Sequence, residues 1–415
     1  MNAYFRDFIS RLSALWGESR YRTDIKQFLE FGVGYVVVLV IGYLLLRKIN
    51  LSLTEVEIGK FSYVQSLVMI VAPVLYLAAP QAYLRFHEDH CLSKRLRDFL
   101  MPFYWFAFVA LAFLIFFCTH SFVALLYAFY PFFMEKTYFL RAQMEIRKLN
   151  ILRTLELLLP LVALYAVVSH IEPSGDMVLG FYGMGYAVAF LFRARGTSEG
   201  EIDRREVVKY LMPVVFTSLL VFILNNVSVV AAKHYWGYES AGQMGVAVRA
   251  LLFLRSLSGM FMMFYPMIYF REAKKGNYGI VRLYRNVIVA IVASFAVGLV
   301  AFAPLVYRIL GAAGYVETVN VFRILVGAEF LNFLIDVYCL YFALEIKTWK
   351  GTIVKVIAIA VLAAGLGAIP WLHLAPGARL SYVAYAVLAA ALASSAVGGV
   401  WALCGERRYM RSKRA

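Results

Sequence analysis

Two arginines sit where a membrane-spanning chain least tolerates charge. The stretch 242–271, GQMGVAVRALLFLRSLSGMFMMFYPMIYFR, is about as long as a tilted transmembrane helix and holds Arg249 and Arg255 well inside its apolar run. A cation at that depth costs ~2.5–3.5 kcal/mol even on the mild insertion scale, so each guanidinium needs a counter-charge, a ligand or a wet cavity. The rise per residue places Arg249 ~10 Å and Arg255 ~20 Å from the external surface, and six positions turn them ~120° apart. Arginine's planar fork of donors keeps its charge in low dielectric and matches phosphate or carboxylate oxygens. The chemistry on offer is recognition of an anion. The alternative is internal pairing. Glu329 and Asp336 are seven positions apart, on one face of a later span, with Glu329 expected near Arg249's depth and Asp336 near Arg255's. Pairing with them would lower the burial cost without a substrate, and the sequence leaves both readings open.

Other residues join these candidates. Asn225 and Asn226 can hydrogen-bond sugar hydroxyls or neighbouring helices. Glu156 is either a proton site for coupling or a salt-bridge partner of Arg153 or Arg141 near the cytoplasmic surface. Arg85 and Arg271 end two spans that share a Pro-x-x-Tyr-apolar-Arg pattern, at Pro80 and at Pro266, 186 positions apart (266 minus 80). They can steer an anionic head group at the cytoplasmic mouth or merely anchor helix ends. The aromatic runs around Tyr104–Phe108 and Tyr127–Phe133 can stack on sugar rings or face lipid. His87-Glu-Asp-His90-Cys91 resembles a metal motif, but its spacing is not that of a zinc-hydrolase helix, and no metal site is expected. No glycine-rich phosphate loop is present, so neither ATP hydrolysis, a cofactor nor a catalytic residue is expected.

The elements that must position these residues are membrane helices. Of 415 residues 62% are hydrophobic and only 16% charged, and mean hydropathy is +0.73, whereas soluble domains are roughly a quarter charged. Long continuous apolar runs exclude a barrel of alternating strands. Cys91, Cys118, Cys339 and Cys404 are far apart and read as apolar packers. The net charge of +16 would suggest nucleic acid on a soluble protein. Here the basic residues fall in short loops between spans, and no nucleic-acid partner is expected.

The spacing predicts spans at 28–46, 61–84, 99–118, 121–141, 151–168 and 177–193, then 208–231, 242–269, 284–306, 319–343, 351–370 and 380–403. With the N-terminus inside, 32 of the 41 lysines and arginines fall in cytoplasmic segments and 7 in external ones, leaving Arg249 and Arg255. The expected fold is an all-α polytopic membrane protein of twelve helices with both ends cytoplasmic. Residues 1–27 form a cytoplasmic amphipathic segment, 28–193 a six-helix lobe, 194–207 a polar linker, 208–403 a second six-helix lobe and 404–415 a basic tail. Six spans per half allow parallel repeats related by an axis along the membrane normal. Glu57-Ile-Gly59 before one second span and Glu239-Ser-Ala-Gly242 before its counterpart support duplication. A capping box is expected at Thr54-Glu55-Val56-Glu57.

The run VGYVVVLVIGYLLLRKINLSLTEVEIGKFSYVQSLVMIVAPVLYLAAPQAYLRF resembles the opening two spans of bacterial polysaccharide flippases. YFLRAQMEIRKLNILRTLELLLPL (138–161) resembles their connection from fourth to fifth span, and YLMPVVFTSLLVFILNN (210–226) their proline-led seventh span. These are the O-antigen and exopolysaccharide exporters of the multidrug/oligosaccharidyl-lipid/polysaccharide (MOP) superfamily. Many carry an Asp soon after the polar residues late in the seventh span. Here Asn225-Asn226 is followed by Val227-Ser228-Val229, so that acid's role does not transfer. The resemblance implies a monomeric flippase of the bacterial inner membrane, moving an undecaprenyl-diphosphate-linked glycan from the cytoplasmic to the periplasmic leaflet by alternating access. The head group would pass a cationic cavity while the lipid tail stays in the bilayer, and polysaccharide polymerase machinery is an implied partner. The competing readings are a small-molecule or drug exporter of the same superfamily and a membrane enzyme of polysaccharide assembly.

Overall fold

The computed structural model describes residues 19–86, 94–143, 145–192, 203–274, 276–344 and 348–412, with the side chains of some residues at their ends left undescribed. The elements among the described residues are all helices, joined by short turns, with no strand. An apolar chain in lipid has to satisfy every backbone group within its own segment, and the helix does so.

Nine described helices are long and apolar enough to cross a membrane. The remaining spans are made differently. The fourth is a 3-10 segment, Ala124–Phe129, leading into Tyr130–Ala142, and the sixth is Gly175–Ala187 followed by Val188–Leu191. The seventh and eighth run together as Arg204–Ala250, broken only at Gly237, whose φ of 88° is open to glycine without a Cβ clash. The eighth then continues as Leu252–Lys274. The twelve-span architecture expected above is present.

Local chemistry explains several ends. Asp203 caps the seventh span through Arg205 N at 2.8 Å, and Ser174 caps the sixth through Met177 N at 3.3 Å. Thr54 accepts from Glu57 N at 3.4 Å, but the Glu57 carboxylate does not return to Thr54 as a capping box requires. It reaches across to Gly175 N at 2.8 Å, at the start of the sixth span, and to Lys60 Nζ at 2.7 Å. A buried donor on another helix outcompetes the local one.

The sequence boundaries shift in places. The first span starts at Ser19, before position 28, and the last runs on to Ser412, so most of the 404–415 tail is helix. Residues 1–18, residue 193 and the 194–202 portion of the linker lie outside the described residues. The repeated Pro-x-x-Tyr ending is not one conformation. Leu77 and Ala78 have φ of 51° and 47°, so the second span breaks and Pro80 opens a new helix, Pro80–Phe86. Pro266 lies inside Leu252–Lys274 instead.

Candidate functional site

The halves meet where the repeated glycines predict an equivalence. A Cβ added at Gly59, in the second span, would overlap the Tyr238 carbonyl and come 3.1 Å from Gly242 N. One added at Gly242, in the eighth span, would overlap the Glu55 carbonyl and come 3.2 Å from Gly59 N. Gly242 follows Gly59 by 183 positions (242 minus 59), and Tyr238 follows Glu55 by the same 183 (238 minus 55). The contact is therefore reciprocal, as a two-fold axis between repeats demands. Small residues let the backbones approach this closely. One turn on, Gly245 leaves room for Ser62, again its equivalent 183 positions away.

The crossing lies at the end that the charge distribution assigns to the outside. Further bonds close the same end: Tyr43 donates to the Ile309 carbonyl at 2.8 Å and Asn50 to the Leu310 carbonyl at 3.0 Å, with Arg47 donating to Tyr43 at 3.1 Å. These tie the first span to the loop entering the tenth.

Arg249 sits one turn beneath Gly245. Its Nε donates to the Gly245 carbonyl at 3.1 Å, and its guanidinium carbon stands 5.1 Å from the centroid of the Phe61 ring, a cation–π contact from the opposite half. The hydroxyls of Tyr182 and Tyr315 are in electrostatic range. Both terminal nitrogens are buried and have no hydrogen-bond partner, and no acid pairs with them among the described residues. The expected neighbour, Glu329, is elsewhere. The depth count took the helix as straight from 242; it starts at Gly237 and is interrupted at Leu251, so Arg249 lies ~18 Å in rather than ~10 Å.

Arg255 belongs to a different environment. It pairs with Glu329 at 3.1 Å, while Asp336 pairs with Lys355 at 3.1 Å, so neither the expected Arg255–Asp336 nor the expected Arg249–Glu329 pair forms. All four line a cavity of about 210 Å³ between the seventh, eighth, tenth and eleventh spans, wholly within the second half. Glu329 and Asp336 do share one helix face. Asn225 lines the same cavity and so accompanies Arg255 rather than Arg249. Asn226 spends its donor on its own helix, to the Phe222 carbonyl at 3.0 Å, instead of reaching a neighbouring helix.

In the first half Glu156 makes no ion pair with Arg153 or Arg141, so the salt bridge, one of its two readings, does not form; Arg153 is only in electrostatic range. The Arg141 guanidinium lies 6.0 Å from the Tyr138 ring centroid. Arg85 and Arg271 have their backbones in Pro80–Phe86 and Leu252–Lys274, and their side chains, like the whole His87–Cys91 segment, lie outside the described residues.

Several ion pairs escaped the sequence reading. Lys355 and Arg285, near the inner edges of their predicted spans, each lie well inside a helix and are buried. Arg285 pairs with Glu406 at 2.8 Å, and Arg97 with Glu135 at 3.3 Å. The signal was a carboxylate at the inner edge of an apolar run, as Glu406 and Glu135 are, facing a cation at the edge of another.

The twelve spans, the reciprocal glycine crossing and the charge placed at it can be compared with solved proteins. No family profile matches the chain, and no curated protein matches it in sequence. Solved structures do match in shape. An inward-facing multidrug resistance MATE family transporter of the MOP superfamily is similar with a TM-score of 0.63 at 15% identity, over 92% of this chain and 100% of that one. An outward-facing structure of such a transporter gives 0.64 at 14% identity, over 94% and 97%. The fold is that of the MATE transporters. A MOP superfamily transporter from Pyrococcus furiosus gives 0.66 at 13% identity, over 92% and 97%, and is described as having a binding pocket of reverse polarity that suggests a different function. The MATE fold thus accounts for the two-lobed plan.

Proposed function

We propose that this protein is an alternating-access transporter for an anionic lipid-linked substrate. The reading is a flippase carrying an undecaprenyl-diphosphate-linked glycan, an O-antigen or exopolysaccharide repeat unit, from the cytoplasmic to the periplasmic leaflet of a bacterial inner membrane. The observation that carries it is Arg249. A buried guanidinium with two unpartnered nitrogens at the meeting of the lobes is costly to maintain, and a phosphate oxygen would supply the missing acceptors. Its place beneath the Gly59–Gly242 crossing is where a substrate must be held before the external side opens. The MATE fold, solved in inward-facing and outward-facing forms, supports alternating access. Arg255, Glu329, Asp336 and Lys355 neutralise one another, so the second-half cavity adds polar lining, with Asn225 available to sugar hydroxyls.

Drug export is the second reading, favoured by the multidrug transporters among the structural matches. Complementation decides between them. In a strain lacking its polysaccharide flippase, the wild type should restore surface polysaccharide, Arg249→Ala should abolish that, and Arg249→Lys should keep part of it. Restored drug resistance with no polysaccharide would establish the exporter instead.

A further inference from the structure

Arg249 is not the only arginine without a counter-ion. Arg141 closes the fourth span and Arg153 lies seven residues into the fifth, which starts at Ile146. Both are half-buried, and neither makes a hydrogen bond or ion pair among the described residues. The two are in electrostatic range of each other, and Arg153 also of Glu156, Tyr35, Tyr130 and Tyr138. With Glu156 as the one acid, the group carries a net positive charge.

Its position gives it a role. Asn150, three residues before Arg153 on the same helix face, donates to the Glu30 carbonyl at 3.1 Å, so this face is turned to the first span. Tyr35 of the first span reaches the second half, its hydroxyl 3.4 Å from where a Cβ of Gly259 would stand. Leu157, one turn beyond Arg153, approaches Gly42. The group therefore lies on the side of the first half that faces the second. Arg153 is ~10 Å from the inner end of its helix. Arg249 lies nearer the external end, beneath the glycine crossing.

We propose that Arg141 and Arg153 form an entry station for the substrate's diphosphate on the cytoplasmic side of the path, separate from the Arg249 station. The proposal rests on the function proposed above. The two guanidiniums supply donors for a bidentate grip on a diphosphate, and Gln81, donating to the Tyr138 hydroxyl at 3.4 Å, fixes the phenol ring beneath Arg141. Glu156 limits the grip, keeping the net charge low enough for the head group to leave toward Arg249.

The test is binding of undecaprenyl diphosphate to the purified full-length protein in lipid nanodiscs, with uncharged undecaprenol as the comparison. Arg141→Gln and Arg153→Gln should each weaken binding of the diphosphate by about tenfold or more, the effect of losing a charged hydrogen bond. Arg153→Lys should recover part of it, and Glu156→Gln should tighten it. Melting temperatures measured alongside separate lost binding from lost folding. Should Arg153→Gln fail to fold, Arg141→Gln and Glu156→Gln carry the test. Wild-type affinity in Arg141→Gln and Arg153→Gln, with Arg249→Gln weakened, overturns the entry station and leaves the proposed function standing. Equal wild-type affinity for undecaprenol and undecaprenyl diphosphate overturns both.

Discussion

The two halves agree at their glycines and differ in their charges. Gly59 and Gly242 contact each other's neighbourhoods reciprocally, and Ser62 meets Gly245 in the same register. Four positions beyond, the register fails: Arg249 stands where the first half has Ser66, 183 positions earlier. The interior charges are paired in some places and not in others, in both halves. In the second half Arg255, Glu329, Asp336 and Lys355 are paired, as are Arg285 and Glu406. In the first half Arg97 and Glu135 are paired, while Arg141, Arg153 and Glu156 make no ion pair among the described residues. The repeated glycines give the halves a symmetric crossing. Each lobe keeps some of its charges paired, and the second leaves Arg249 without a counter-ion among the described residues.

That contrast can be broken at its strongest point first. Gly242→Leu places a branched side chain against the Glu55 carbonyl, which a fixed backbone cannot yield, so the external end should fail to close. Polysaccharide complementation should be lost, and an engineered cysteine near Arg249 should become reactive to external reagents. Gly59→Leu should behave alike because the contact is reciprocal.

Arg249→Ala comes next. Transport should fall at least about tenfold, as for a lost charged hydrogen bond, while the melting temperature holds or rises because a buried orphan charge is removed. Restoring a charge at the matching position, with Ser66→Arg on that background, should not recover activity. Ser66 is buried in first-half packing that an arginine would disrupt.

The paired charges should give the opposite pattern. Glu406→Gln strands the buried Arg285 and should cost about 3 kcal/mol of stability, read as a lower melting temperature, with transport per folded molecule unchanged. If transport fell as steeply as in Arg249→Ala, the division between structural and functional charge would fail. The smallest effect is expected from Thr54→Ala, about 0.5–1 kcal/mol for a single cap at 3.4 Å, with no change in activity.

The sequence made Arg249 visible because an ionisable residue in an apolar run is rare and costly. It could not say that Arg255, six residues on, would be neutralised while Arg249 was not. Helical rise fixes distance along an axis, but Gly237 moved the start of the helix, so depths counted from 242 paired the wrong residues. Lys355 and Arg285 were hidden for a related reason. A cation near the end of an apolar run reads as loop until its acidic partner on another helix is in view.

By itself the sequence determined the number of spans, their orientation and the duplication. Each follows from a one-dimensional quantity: apolar length against bilayer thickness, lysine and arginine against loop parity, and repeated glycines at a fixed offset. Tertiary structure alone decided which charges are satisfied. Pairing requires two side chains on different helices to come within about 4 Å, and that depends on crossing angles, breaks and 3-10 turns that no local pattern encodes. The glycine crossing shows the two levels joined: the residues were legible as a repeat, and only packing revealed that they repeat in order to touch.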